Sequence, residues 1–508
     1  MTVIDTLPPA PATGGHHPLR RLLRLRPEVE VTAQGADVEL AHPWGRQRVH
    51  ALGERTVAAL LDLTRTDADL DLLALDHVRL LKLLERFPYL VTTTVADPLG
   101  TPLATAVPIA RSAALPGFAR PTGELVLSRF AYLRRLPDGQ GQDGESCVLE
   151  SPMAPFRLTL HQAAAGAFVA ALSASRTAEE AALLAGMSPG EGEALAGLLA
   201  GGGFLDAGKG AEAPLWDFHD LLFHARSRPG RHDYPTGGVF AHQDVPQLPA
   251  VSAPGSREEG EGIDLPVPDW DTVVARDPAL SEVLEGRRSV RSYADTPVTL
   301  DQLAELLYRV ARVRRVIPGD PADPHGYDGV ERPYPAGGAT GELEVYLSVV
   351  KCVGLEPGVY RYDAAAHRLR PRPFQHPGEE AAFSELVTAA WRATACTVDP
   401  QVLLTVTSRF GRLSWKYSQI AYALTLKHVG VLYQTLYLVA TAMGLAPCGL
   451  GSGDTDAAAR ALGLDWTAES SVGEFLIGSR PAGVPRTAHG FADVVAAARA
   501  GEGFGENF

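Results

Sequence analysis

The sequence predicts an α+β protein built from more than one domain, and three observations carry that reading. At 508 residues the chain is too long for one ordinary core, so roughly two to four domains are expected. Candidate strands and helices mix without the regular βαβ alternation of a parallel sheet. Hydrophobic residues make up 45% and charged residues 21%, which is ordinary globular usage with enough apolar surface for several cores.

The elements fall into a lead, two small modules, a linker and a larger C-terminal part. Residues 1–17 lack a basic start and an apolar run, so they read as a disordered lead rather than a signal peptide. In residues 18–123, β-type runs separated at Gln34-Gly35 are followed by helical periodicity at Val57, Leu60, Leu61, Leu80, Leu81 and Leu84. Two more β-rich runs flank Asp97-Pro98-Leu99-Gly100 as a wing, so the module is expected to be winged-helix-like. In residues 124–230, Thr177 with Glu180 and Ser188 with Glu191 form capping boxes, and Gly201-Gly202-Gly203 stops the second helix. A second winged-helix-like module is expected there. No helix in it carries the basic face of a DNA reader, so a protein or peptide partner fits better.

Residues 231–268 are rich in Pro and Gly and predict a surface linker. In residues 269–508, Thr299 and Gln302 cap a helix with the stripe Leu300, Leu303, Leu306, Leu307 and Val310. ELEVYLSVV, VLLTVTSRF and EFLIGS predict strands, GVYRYDAAAHRL a hairpin, and Tyr417 to Met443 a long apolar helix. The stretch Val429 to Cys448 is nearly long enough to span a bilayer, but Gln434, Thr435 and Thr441 interrupt it, so a buried helix is expected. A net charge of −14 argues against a general nucleic-acid binder. Cys147, Cys352, Cys396 and Cys448 are scattered without metal-type spacing. Neither a metal site nor a disulfide framework is expected, and a reducing cytoplasm fits.

The chemistry concentrates in four segments of the C-terminal part. Arg287, Arg288 and Arg291 with Ser289 offer donors for a phosphate, although such clusters are most often solvated faces. Pro335-Ala336-Gly337-Gly338-Ala339 and the run CGLGSGD (Cys448 to Asp454) are Gly-rich, so backbone can approach a flat ligand closely. CGLGSGD is read as following a helix rather than a strand, and it lacks the spacing of a dinucleotide fingerprint. Lys416-Tyr417 sets an ammonium beside a phenol, as proton chemistry requires.

In this order the segments resemble the nitroreductase-like flavoenzymes, and specifically the peptide azoline dehydrogenases often called SagB-type. The resemblance covers essentially the whole C-terminal part and, less specifically, residues 124–230, while residues 18–123 resemble the winged-helix peptide-recognition elements of such biosynthetic enzymes; it implies an FMN domain of nitroreductase-like fold. It implies that Arg287, Arg288, Ser289 and Arg291, with Arg480 of GSRP, bind the FMN phosphate. It implies Pro335, Ala336, Gly337 and Gly338 along the isoalloxazine edge, and Gly449, Leu450 and Gly451 on the other side. Ala336 stands where serine is common, so backbone contacts are implied there. Lys416 and Tyr417 match the Lys-Tyr pair implicated in azoline dehydrogenase catalysis. Where many relatives carry Glu-x-Gly-His, this chain has His428, Val429, Gly430 and Val431, and His428 is expected to be structural.

The activity so implied is FMN-dependent dehydrogenation of peptide thiazolines or oxazolines to thiazoles or oxazoles, with dioxygen as oxidant. The implied partners are an azoline-containing precursor peptide and its leader, a cyclodehydratase, and a second copy in a homodimer; no nucleic acid and no membrane are implied. Arg20, Arg21, Arg24 and Arg26 are either an attraction for an acidic leader or a solvated face. Two other readings stay open: an NAD(P)H-dependent nitro or quinone reductase, and a precursor-peptide scaffold without turnover.

Overall fold

The computed structural model describes residues 19–116, 120–136, 147–206, 215–253, 258, 262–395 and 397–483. The expected disordered lead lies outside the described residues. The chain divides into two units, residues 1–234 and 235–508.

The first unit is built on an antiparallel sheet of seven strands: β1 (Arg20–Leu25), β2 (Ala68–Asp69), β3 (Val91–Ala96), β4 (Pro102–Pro108), β5 (Tyr132–Arg135), β6 (Cys147–Glu150) and β7 (Phe156–Leu160). Their order is β2-β1-β3-β4-β7-β6-β5. β4 pairs with β7 in the register Ala104↔Leu160 to Pro108↔Phe156. The helices and hairpins expected for two separate modules therefore feed one continuous sheet. The reason is burial: Ala104 and Ala106 on β4 and Leu158 and Leu160 on β7 are all sequestered in one core, which neither half closes alone. Both expected capping boxes form, and Gly203 in the left-handed region ends the helix Pro189–Gly202. Three of the four arginines near the start meet carboxylates of their own unit. Arg20 pairs with Asp69, Arg21 with Asp71, and Arg26 with Glu28 and Asp233.

The second unit has its own antiparallel seven-stranded sheet: β8 (Ile263–Asp264), β9 (Leu343–Val349), β10 (Gly358–Asp363), β11 (Arg368–Pro371), β12 (Val402–Arg409), β13 (Leu445–Gly449) and β14 (Glu469–Ser479). The order is β8-β11-β10-β9-β12-β14-β13. The fold class is α+β, as expected. Every residue of β9 and β12 is buried, because helices cover both faces. On one face Leu404, Val406 and Phe475 pack with Leu306 of α2 (Leu300–Ala311) and with Leu432 and Leu436 of α4 (Ala421–Ala442). On the other, Leu403 and Leu476 pack with Leu386 and with Ala458 of α5 (Thr455–Leu462). The alternation of strand side chains thus divides one sheet between two cores.

The long helix begins at Ala421 rather than Tyr417. Gln419 sits at φ 62, which ends any helical run, and Tyr417–Ser418 pairs as a short strand with Gly237–Gly238. The expected linker thereby contributes backbone to the second unit. Among the described residues no helix is long and apolar enough to cross a membrane.

Candidate functional site

The four segments resolve into two clusters, one at Gly338 and one around Tyr437. The first is assembled by two buried side chains. Arg412, on α3 (Phe410–Ser414), is fully buried, and its guanidinium donates to the carbonyls of Leu248 (2.6 Å), Asp328 (2.6 Å) and Thr340 (2.7 Å). Burial and the nearby Arg409 charge pull its pKa down to about 10. One cation thus gathers the expected linker, the loop before Gly329 and the turn after Gly338.

The second anchor is His428 on α4. Its Nδ1 lies 2.5 Å from the buried Glu342 carboxylate, and its Nε2 accepts the Gly337 N–H at 2.7 Å. Nδ1 must therefore carry the hydrogen given to Glu342. The histidine expected to be structural holds the Pro335–Ala339 turn. Gly338 has φ 61, and a methyl group built on it would lie 2.7 Å from Tyr327 Oη, 2.8 Å from Lys416 Nζ and 2.9 Å from Tyr417 Oη. Three side-chain heteroatoms converge on a space that any other residue would fill.

Within this cluster Lys416 Nζ donates to Tyr327 Oη at 2.5 Å, and Tyr327 O–H donates to the Gly338 carbonyl at 2.7 Å. Partial burial works to lower the Lys416 pKa, but the hydrogen bond and charge of Tyr327, joined by Tyr417, outweigh it and hold the ammonium above its usual range. The lysine is therefore a cation here.

The second cluster surrounds Tyr437 of α4. Ser289 and Tyr437 share a hydroxyl–hydroxyl bond of 2.7 Å, the Gly449 N–H donates to Tyr437 Oη at 2.7 Å, and the Arg287 guanidinium lies 5.1 Å from the ring centre. Arg287 follows α1 (Leu280–Gly286), and the Val290 N–H donates to the Pro447 carbonyl at 2.8 Å, which lays the arginine loop along β13. Arg291 acts on Cys448, whose thiol pKa burial raises against the pull of Arg291 and Ser289. Arg480 Nε donates to the Leu445 carbonyl at 3.1 Å. Arg287 and Arg291 pair with no carboxylate among the described residues. Arg288 stands beside them, half-buried.

CGLGSGD departs from its expected setting. It starts in strand β13, not behind a helix, and leads to Asp454, which caps α5. The Leu450 side chain enters the core and its N–H bonds the Glu474 carbonyl, so only its backbone faces the turn. Gly451 has open space around its Cα. Pro335 and Gly338 are exposed, and Ala336 and Gly337 half-buried.

His428 and Tyr437 are nine positions apart on α4, about 13.5 Å along the axis and about half a turn around it. The two clusters therefore project from opposite sides of one helix. Sequence reading missed Tyr327, Tyr437 and Arg412. Tyr437 is hidden in an apolar run, and neither Tyr327 nor Arg412 lies in a short motif. The one available signal was Tyr327's place eleven residues before Gly338.

A family model described as cyanobactin oxidase ThcOx matches residues 125–233, and the nitroreductase family model matches residues 284–479. A protein of Methanocaldococcus jannaschii named "putative nitroreductase" is 30% identical over 193 residues, 38% of this chain and 86% of that protein. A solved nitroreductase-type structure from Anabaena variabilis aligns at 20% identity and TM-score 0.33 over 46% of this chain; the chain spans 40% of that structure's length. A chain of the E. coli microcin synthetase McbBCD complex with truncated pro-MccB17 aligns at 18% identity and TM-score 0.31, covering 54% of this chain and 98% of that one.

Proposed function

The chain belongs to the nitroreductase family of oxidoreductases, and on that premise we propose that it is an FMN-dependent dehydrogenase of peptide thiazolines and oxazolines. The observation that carries this reading is the meeting of Lys416, Tyr417 and Tyr327 at Gly338, which gives the flavin fold a proton-handling site. The cyanobactin oxidase match over residues 125–233 supports a peptide as substrate. Dioxygen is the terminal oxidant, and the partners are the precursor peptide with its leader, a cyclodehydratase and a second copy of this chain. The cytoplasm is the compartment that suits such an assembly.

The residues fit FMN. Arg287 and Arg291 present charge that no carboxylate among the described residues neutralises, beside the Ser289 hydroxyl, which suits a phosphate. The side-chain-free surfaces of Gly337, Gly338, Gly449 and Gly451 suit a flat ring. The two clusters lie on opposite sides of α4, so a composite site between two copies explains how both serve one cofactor. Tyr422 and Leu426, exposed on α4, supply apolar surface for that pairing.

When bound, FMN supplies the hydride acceptor. The chain's own part is the proton. The substrate C=N acidifies the adjacent Cα–H; its proton passes to Tyr417 as the phenolate while a hydride leaves the neighbouring ring carbon. The ring loses two hydrogens and two electrons and becomes aromatic. The Lys416 cation favours the phenolate that accepts the proton, and the Glu342–His428 pair keeps the Gly337 backbone in place.

Incubation with an azoline peptide and mass spectrometry should show loss of two hydrogens per ring. Colourless folded protein would sink both flavin readings. Turnover of nitro or quinone substrates with NAD(P)H, and none of azoline peptide, would favour the reductase that the M. jannaschii relative's name suggests.

A further inference from the structure

We propose that Tyr327 is a positioning residue of this site, the group that fixes the Lys416 ammonium over Gly338. The inference rests on the reading above for its consequence in turnover, but not for its geometry. Tyr327 lies in the loop before Gly329, well separated in sequence from the Lys-Tyr pair, yet its hydroxyl is the partner Lys416 meets at 2.5 Å. The same hydroxyl donates to the Gly338 carbonyl, so one phenol links the lysine to the glycine turn.

The loop that carries Tyr327 is itself pinned. The Asp328 carbonyl accepts from buried Arg412, and the Asp328 side chain accepts the Gly319 N–H at 2.8 Å. Gly319 and Gly326 allow this closure, because a methyl on either would meet loop backbone at 2.6 Å or less. A loop braced in this way presents a fixed hydroxyl rather than a mobile one. The groups facing the ammonium are the rings of Tyr327, Tyr417 and Phe240, at 4.5, 5.2 and 5.7 Å from Nζ. Phe240 contributes no hydroxyl, and its N–H closes on the Lys416 carbonyl at 3.0 Å. Removing the Tyr327 hydroxyl therefore leaves Tyr417 as the sole polar side chain beside Nζ among these three.

The test is Tyr327→Phe in the full chain, read in two ways. First, Lys416 is labelled with N-hydroxysuccinimidyl acetate at several pH values and followed by peptide mass spectrometry, with Lys351 and Lys427 as internal standards. Loss of the bond frees the amine, so Lys416 should label several-fold faster at a given pH while the standards stay unchanged. Second, azoline turnover should fall about 10–100-fold, with flavin content preserved and the pH profile shifted. Unchanged labelling of Lys416 overturns the proposal, whatever the turnover. Faster labelling in a protein whose parent oxidises no azoline peptide upholds the Lys416–Tyr327 link and overturns the azoline reading instead. Faster labelling with parental turnover and pH profile overturns the positioning role.

Discussion

Two buried carboxylates, Glu150 in the first unit and Glu474 in the second, are held in opposite ways. In the first, Glu150 is 1% exposed and receives Arg134, Arg157, Tyr132 and Tyr234 at once. Burial opposes ionisation, but these partners win and hold its pKa down at about 2. Asp233 extends the network to Arg157 and Arg26. In the second unit Glu474 is almost as buried, yet burial dominates and raises its pKa, aided by Asp454 and opposed by Ser471. It lies under the CGLGSGD turn, where a methyl on Gly453 would overlap its carboxylate. The contrast teaches where charge is committed. Arginines neutralise Glu150 in the first unit and Glu258 and Glu344 in the second, whereas Arg287 and Arg291 of the second unit meet no carboxylate among the described residues and stand beside side-chain-free glycine surface.

That contrast breaks first at the proposed catalytic pair, Lys416 and Tyr417. Lys416→Ala or Tyr417→Phe should lower azoline turnover by about 10²–10⁴, with flavin content unchanged. The two losses should not add, because the groups act as a unit; steady-state kinetics of the single and double variants decide this. Parental rates in both single variants would leave the second unit no more reactive than the first.

Glu150→Ala should cost the first unit up to about 3–5 kcal/mol, because it strands the half-buried guanidiniums of Arg134 and Arg157. Hydrogen exchange should report the loss in β5, β6 and β7 and spare β12 to β14. Uniform loosening of both units would mean that they do not unfold separately.

Arg287→Ala or Arg291→Ala should weaken flavin retention by about 1.5–3 kcal/mol, measured as FMN released on dialysis. Thermal stability should barely change, since neither arginine pairs with a carboxylate among the described residues. Recovery of FAD rather than FMN on denaturation would overturn the cofactor assignment.

The smallest effect is a divergence with pH. Glu150 has a depressed folded pKa, so its stabilisation is present above about 4.5 and is lost as pH falls towards about 2. Glu474 has a raised folded pKa, so its contribution is full below about 4.5 and is lost as pH rises through the folded value. Acid should therefore loosen β5 to β7 first, and rising pH should loosen the turn after β13; exchange rates at both extremes test the order.

Much of the molecule follows from local chemistry. The capping boxes at Thr177, Ser188 and Thr299 are fixed by side chains three residues apart, so they were legible. So were β9, β12 and the β10–β11 hairpin, whose apolar patterns need no distant partner to be recognised. Lys416, Tyr417, Gly337 and Gly338 were legible as segments, and the fold brings them to one point. The merging of two expected modules into one sheet was not legible, because it depends on β4 finding β7 across 48 residues or more. Nor were Tyr327, Arg412 and Tyr437, each of which acts through a partner remote in sequence. Residue types and short spacings determined which groups this protein carries. Only the tertiary structure decided which of them meet, because hydrogen bonds and burial act over a few ångströms of space, whatever the number of residues between.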